Sequence, residues 1–152
     1  MASLTTHRGP ITLQDALGED DNVLARLRYP EQQRNFWASL VARKADIEAL
    51  VRHHLGTDWS YVCTTEIWKS GSFNVVVPVL IREGDLVYVR FPLPYKIGEA
   101  ENPGNVDEKL RTELATYIWL QQHCPDVPIP VLHGFGLPDG ACVSQLFHVF
   151  CI

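Results

Sequence analysis

Two apolar runs on either side of a short turn constrain this chain more than any other feature. One extends from Phe73 to Ile81 and the next from Leu86 to Phe91, with Glu83-Gly84-Asp85 between them. A connection this short joins antiparallel neighbours, because a parallel crossover needs a dozen residues or more. Tyr61-Val62-Cys63 opens a further strand just ahead of them. Three consecutive antiparallel strands follow, bounded by a loop from Pro92 to Gly104 that holds three prolines and two glycines.

Helical spacing flanks this block on both sides. Phe36, Leu40, Ile47, Leu50, Val51 and Leu55 recur on one stripe, with Arg43, Lys44, Asp46, Glu48 and Arg52 mostly opposite. Pro30 sits where a first-turn proline belongs and Gly56 where a terminator belongs, so the spacing predicts a helix of about 25 residues that can break in its middle. Residues 1–29 read as weakly structured, with one short turn at Val23, Leu24 and Leu27. A second helix is expected from Asp107, with Leu110, Leu114, Tyr117, Ile118 and Gln121 on one face, ending at the Pro125-to-Pro130 cluster. Val131 to Leu137 and Ala141 to Ile152 read as two last strands around the turn Pro138-Asp139-Gly140. The fold class is therefore α+β: a five-stranded antiparallel sheet with one packed helix, preceded by an N-terminal helical segment.

Composition narrows the function classes. The 152 residues are 46% hydrophobic and 20% charged, as in a soluble globular domain, and the net charge of −5 comes with no basic block. That excludes a nucleic-acid partner, which would select clustered Lys and Arg. Cys63, Cys124, Cys142 and Cys151 lack the spacing of a zinc site, so reduced thiols and a cytoplasmic location are expected. No stretch reaches the roughly 20 apolar residues of a membrane helix, and Met1 to Pro10 lacks the apolar core of a signal peptide.

Three features could carry chemistry. The stretch Trp68-Lys69-Ser70-Gly71-Ser72-Phe73-Asn74 holds a small-residue turn whose amides can point at phosphate oxygens, although such turns also serve simply to reverse a chain. Arg90 is a cation in an apolar strand, on the side of Leu86 and Tyr88; it is either a charge at an exposed strand end or a phosphate clamp. Glu113 lies near the apolar face of the second helix. It can reach Arg90 if the helix crosses the sheet, or pair with Lys109 one turn away.

In combination these features resemble the amino-terminal lobe of the aminoglycoside-phosphotransferase family, which has the protein-kinase-like fold. The blocks SGSFN, VRFPLP, EKLRTELATYIWLQ and VPIPVLHGFG carry the resemblance between Trp68 and Gly136, nearly half of the chain. It implies a nucleotide loop formed by Ser70, Gly71, Ser72, Phe73 and Asn74. Arg90 then takes the place of the strand lysine that contacts the α- and β-phosphates, and Glu113 is its helix partner. The loop has a single glycine, and Arg is bulkier and more weakly hydrated than Lys. In that family the second lobe supplies a catalytic Asp, an Asn and a metal-binding Asp; here Phe135 follows His133-Gly134 and no Asp follows Asp139.

The expectation is a helical extension over 1–58 and a nucleotide-binding lobe over 59–152, without the catalytic lobe. ATP contact would be weak or vestigial, and magnesium would enter only with a C-terminal lobe supplied. Phosphoryl transfer by the chain alone is not expected. Self-association, or a partner chain, would use the apolar strand with Leu146, Phe147, Val149, Phe150 and Ile152. The competing reading is a non-catalytic docking module.

Overall fold

The structure, a computed structural model, describes residues 3–6, 9–12, 23–82 and 84–144. The elements are β1 (Ser3–Thr6), β2 (Gly9–Thr12), α1 (Val23–Ala42), α2 (Lys44–Leu55), β3 (Tyr61–Val62), β4 (Lys69–Ser70), β5 (Asn74–Arg82), β6 (Asp85–Pro92), α3 (Asn105–His123), β7 (Gly134–Gly136) and β8 (Cys142–Ser144). This is a mixed α+β fold with an antiparallel sheet.

Strand β5 is the centre of that sheet. β6 pairs along its whole length on one side, while β3 and β4 lie end to end on the other. The pairing runs Tyr61↔Leu80 and Val62↔Val79, then resumes at Lys69↔Val76 and Ser70↔Val75. Between them the edge strand leaves the ladder through a 3₁₀ turn at Thr65–Ile67 and turns Trp68 into the core, where its indole N–H donates to Cys63 O at 3.1 Å. Pro78 occupies the matching place on β5. A proline in a central strand removes a ladder donor, but here its nitrogen faces the gap and its carbonyl accepts from Cys63 N at 3.0 Å. The excursion is what makes the proline tolerable.

Alternation assigns the two faces of the sheet. Val75, Val77, Val79, Val87, Val89 and Phe91 point one way and pack with Val62, Trp68 and Leu93 against Leu40, Ile47 and Val51 of the two N-terminal helices. The helices and the sheet share one hydrophobic core. Polar contacts pin α2 to β3: Val62 N donates to Glu48 Oε1 at 2.9 Å, and Ser60 Oγ donates to Glu48 O at 2.9 Å. The other face bears Asn74, Val76, Pro78, Leu80, Leu86, Tyr88 and Arg90, and Tyr88 is 65% exposed there.

Several expectations change. α1 starts at Val23 and runs through Pro30, seven residues before the expected start, and the helical stretch breaks at Arg43. Tertiary contact compensates for the lost helical hydrogen bond: Tyr29, beside the proline, packs at a tilt against Tyr95 with ring centroids 5.8 Å apart and carries Lys96 Nζ over its ring at 4.0 Å. Gly56 does terminate α2, with φ of 60°. β1 and β2 pair antiparallel in the stretch read as weakly structured. Among the described residues four strands share one sheet, short of the five expected, and β7 and β8 pair with each other, Phe135 opposite Val143. The expected final strand beyond Ser144, with its apolar residues, lies outside the described residues. α3 has no buried residue, although Leu110, Leu114, Tyr117, Ile118 and Gln121 do form its half-sheltered side.

Candidate functional site

The turn between β4 and β5 is tight. Gly71 N donates to Asn74 O at 2.8 Å, which leaves Ser72 and Phe73 as its exposed tip. No residue of this turn has positive φ, and a Cβ at Gly71 would meet only Asn74 O at 3.7 Å, an ordinary contact. The backbone therefore does not require glycine there. What its missing side chain leaves open is space outside the turn. Of the loop amides expected to face phosphate, Gly71 N–H is spent in closing the turn, whereas those of Ser72 and Phe73 have no acceptor among the described residues. Ser70 belongs to β4, opposite Val75, and is exposed.

Asn74, at the end of the turn, is only 9% exposed, and its side chain points to the face that carries Arg90. With its amide oriented to satisfy both ends, Nδ2 donates to Phe73 O at 3.2 Å, and Oδ1 accepts from Arg90 Nε at 3.1 Å and Nη2 at 2.6 Å. The guanidinium is thereby fixed by a neutral acceptor from the turn itself. From the other side Glu113 Oε1 approaches Arg90 Nη2 at 3.5 Å. The same carboxylate oxygen also receives Lys109 Nζ, one helical turn earlier. Both pairings foreseen for Glu113 are thus present together. With Arg90 46% and Glu113 32% exposed, their ion pair is screened and its strength is modest.

α3 is placed by its own N-terminal device. Glu99, in the loop, takes Gly104 N at 2.9 Å on Oε1 and Val106 N at 2.6 Å on Oε2, and Asn105 Nδ2 donates to Ile97 O at 2.7 Å. A carboxylate at a helix start satisfies free amides and complements the dipole. Between this helix and the turn lies an open cavity of about 410 Å³, lined by Phe73, Ile97, Asn105, Glu108, Lys109, Thr112 and Glu113. The size is that of a small-molecule site.

The structure therefore brings Phe73, Asn74, Arg90 and Glu113 to one place, with Ser70, Gly71 and Ser72 on the adjoining turn. Sequence reasoning gave Asn74 only a backbone role and missed that it holds Arg90; an amide side chain opening a β-branched run was the available clue. No family model, no curated protein and no solved structure matches the chain. The family resemblance thus rests on the sequence blocks alone. Among the described residues no three His, Cys, Asp or Glu side chains come together as metal ligands. The described helices include none long and apolar enough to cross a membrane.

Proposed function

We propose that this chain is an ATP-gripping lobe of the aminoglycoside-phosphotransferase kind, with the phosphates held at the mouth of the Gly71–Asn74 turn. The observation that carries the reading is the convergence of three elements on Arg90: Asn74 from the turn, Glu113 from α3, and β6 itself. A guanidinium held in a fixed direction, beside amides without acceptors, suits phosphate oxygens better than it suits a solvent-exposed strand end. On this reading a fifth strand of the lobe would add to the outer edge of β6, where no described strand pairs. The described residues bind and orient phosphates; none is placed as a base, so binding without phosphoryl transfer is the expected behaviour.

Titration of the purified chain with ATP tests this. Saturable binding that weakens about tenfold in Arg90→Ala is expected, without phosphorylation of kanamycin-like or choline-like acceptors. Absence of ATP binding, combined with stable dimerisation, would instead favour a docking module. That second reading draws on one observation: α3 has 19 residues, none buried, and Trp119 is 54% exposed.

A further inference from the structure

The register of the sheet places a second cation opposite Arg90. Lys69 on β4 pairs directly with Val76 on β5, and Val76 pairs directly with Arg90 on β6. Directly opposed residues point to the same face of a sheet. Lys69 and Arg90 therefore stand on one face, on either side of Val76, with backbones about 10 Å apart, or two interstrand spacings. Both are exposed, and both adjoin the turn whose tip carries the amides of Ser72 and Phe73. Arg90 has partners in Asn74 and Glu113, whereas Lys69 has no ion pair or side-chain hydrogen bond among the described residues.

We propose that Lys69 and Arg90 form a two-cation clamp that recognises a chain of phosphates, so that the ligand class of this site is a di- or triphosphate rather than a monophosphate or a nucleoside. The inference rests on the nucleotide reading above and adds to it a residue and a selectivity. A single phosphate beside the fixed guanidinium leaves the lysine unengaged. A polyphosphate crosses over Val76 and meets both cations, Arg90 as a planar fork and Lys69 as a mobile point charge. Recognition then lies in the phosphates, and the base contributes little.

Competition against a fluorescent ATP analogue on the full chain at low salt is the test, using ATP, ADP, AMP, adenosine and inorganic triphosphate. Inorganic triphosphate is expected to displace the probe about as well as ATP, and AMP and adenosine far more weakly. Lys69→Met, which keeps the stem and removes the charge, should weaken ATP and triphosphate about three- to tenfold, as one partly exposed charge contact would. Lys69→Arg should restore most of the loss. Binding of ATP that Arg90→Ala weakens but Lys69→Met leaves unchanged would overturn the clamp and leave the nucleotide reading standing. Displacement by adenosine but not by triphosphate would do the same. A wild-type chain that binds neither probe nor ATP would overturn both. Circular dichroism of each variant shows that the fold is retained, as the exposure of Lys69 leads one to expect.

Discussion

Asn74 is the residue on which the candidate site depends, and its physics differs from that of the ion pair beside it. It is nearly buried, and its amide joins the turn's Phe73 carbonyl to the Arg90 guanidinium. Truncation would remove two hydrogen bonds to the guanidinium and leave Arg90 held by Glu113 alone, and a lost hydrogen bond to a charged group costs more than a neutral one. Asn74→Ala is therefore expected to destabilise the fold by about 1–2 kcal/mol in chemical denaturation, and to weaken ATP binding by releasing Arg90. Glu113→Gln should cost less than about 1 kcal/mol, because both partners are substantially exposed and the pair is screened by solvent. A larger loss from Glu113→Gln than from Asn74→Ala would show that the carboxylate, and not the amide, is the anchor. The alternation of the strands made Arg90's side legible from sequence. The amide contact was not, because it depends on how tightly the turn closes.

At the scale of elements, the β7–β8 hairpin is seated on α2 through one glycine. A Cβ built on Gly134 would run into the imidazole of His54. Gly134→Ala should then cost about 1–3 kcal/mol by overpacking, and His54→Ala should recover part of that loss in the double variant; additive losses would mean that the two do not touch. The same packing has a pH consequence. Burial, and next the neighbouring His53, disfavour the charged ring and hold the His54 pKa below its ordinary 6.5. A lowered histidine pKa means that the unfolded chain takes the proton first. The stability is complete above 6.5, falls as pH drops through that value, and levels off below the folded pKa. Melting temperatures from about pH 8 to pH 5 should show this decline, and His54→Gln should flatten it. Little of this contact was legible in sequence: nothing in the helical spacing around His53 and His54 announces what either ring touches. Strands β3, β5 and β6 were legible because apolar runs and short turns are local signals, whereas β1 and β2 were not. The excursion between β3 and β4 was not, since only the core explains why Trp68 turns inward. Nor was the passage of α1 through Pro30, which contact with Tyr95 and Lys96 compensates.

In the whole molecule, the helix that contributes Glu113 to the candidate site stands apart from the core. The core joins Leu40, Ile47 and Val51 of α1 and α2 to one face of β5 and β6, and α3 adds no buried residue to it. An amphipathic stripe in sequence states that a helix has an apolar side; it does not name the surface that side will cover. Hence the N-terminal helices were legible as helices, but their place under the sheet was not. Ile47→Ala should cost about 2–4 kcal/mol, the loss of a buried aliphatic side chain with its cavity, whereas Leu114→Ala on α3 should cost much less. The same asymmetry predicts how the chain opens. Local unfolding takes elements with few buried contacts first, so amides of α3 should exchange with solvent at a small opening free energy, while those of β5 should need global unfolding. ATP provides the decisive comparison. If Arg90 holds phosphate with Glu113 beside it, binding ties α3 to the turn, and the amides around Glu113 should exchange more slowly with ATP present while those of β5 scarcely change. Protection of α3 that already equals that of β5 in the free chain would contradict the weak packing of this helix. ATP binding that leaves α3 exchange unaltered would remove Glu113 from the site.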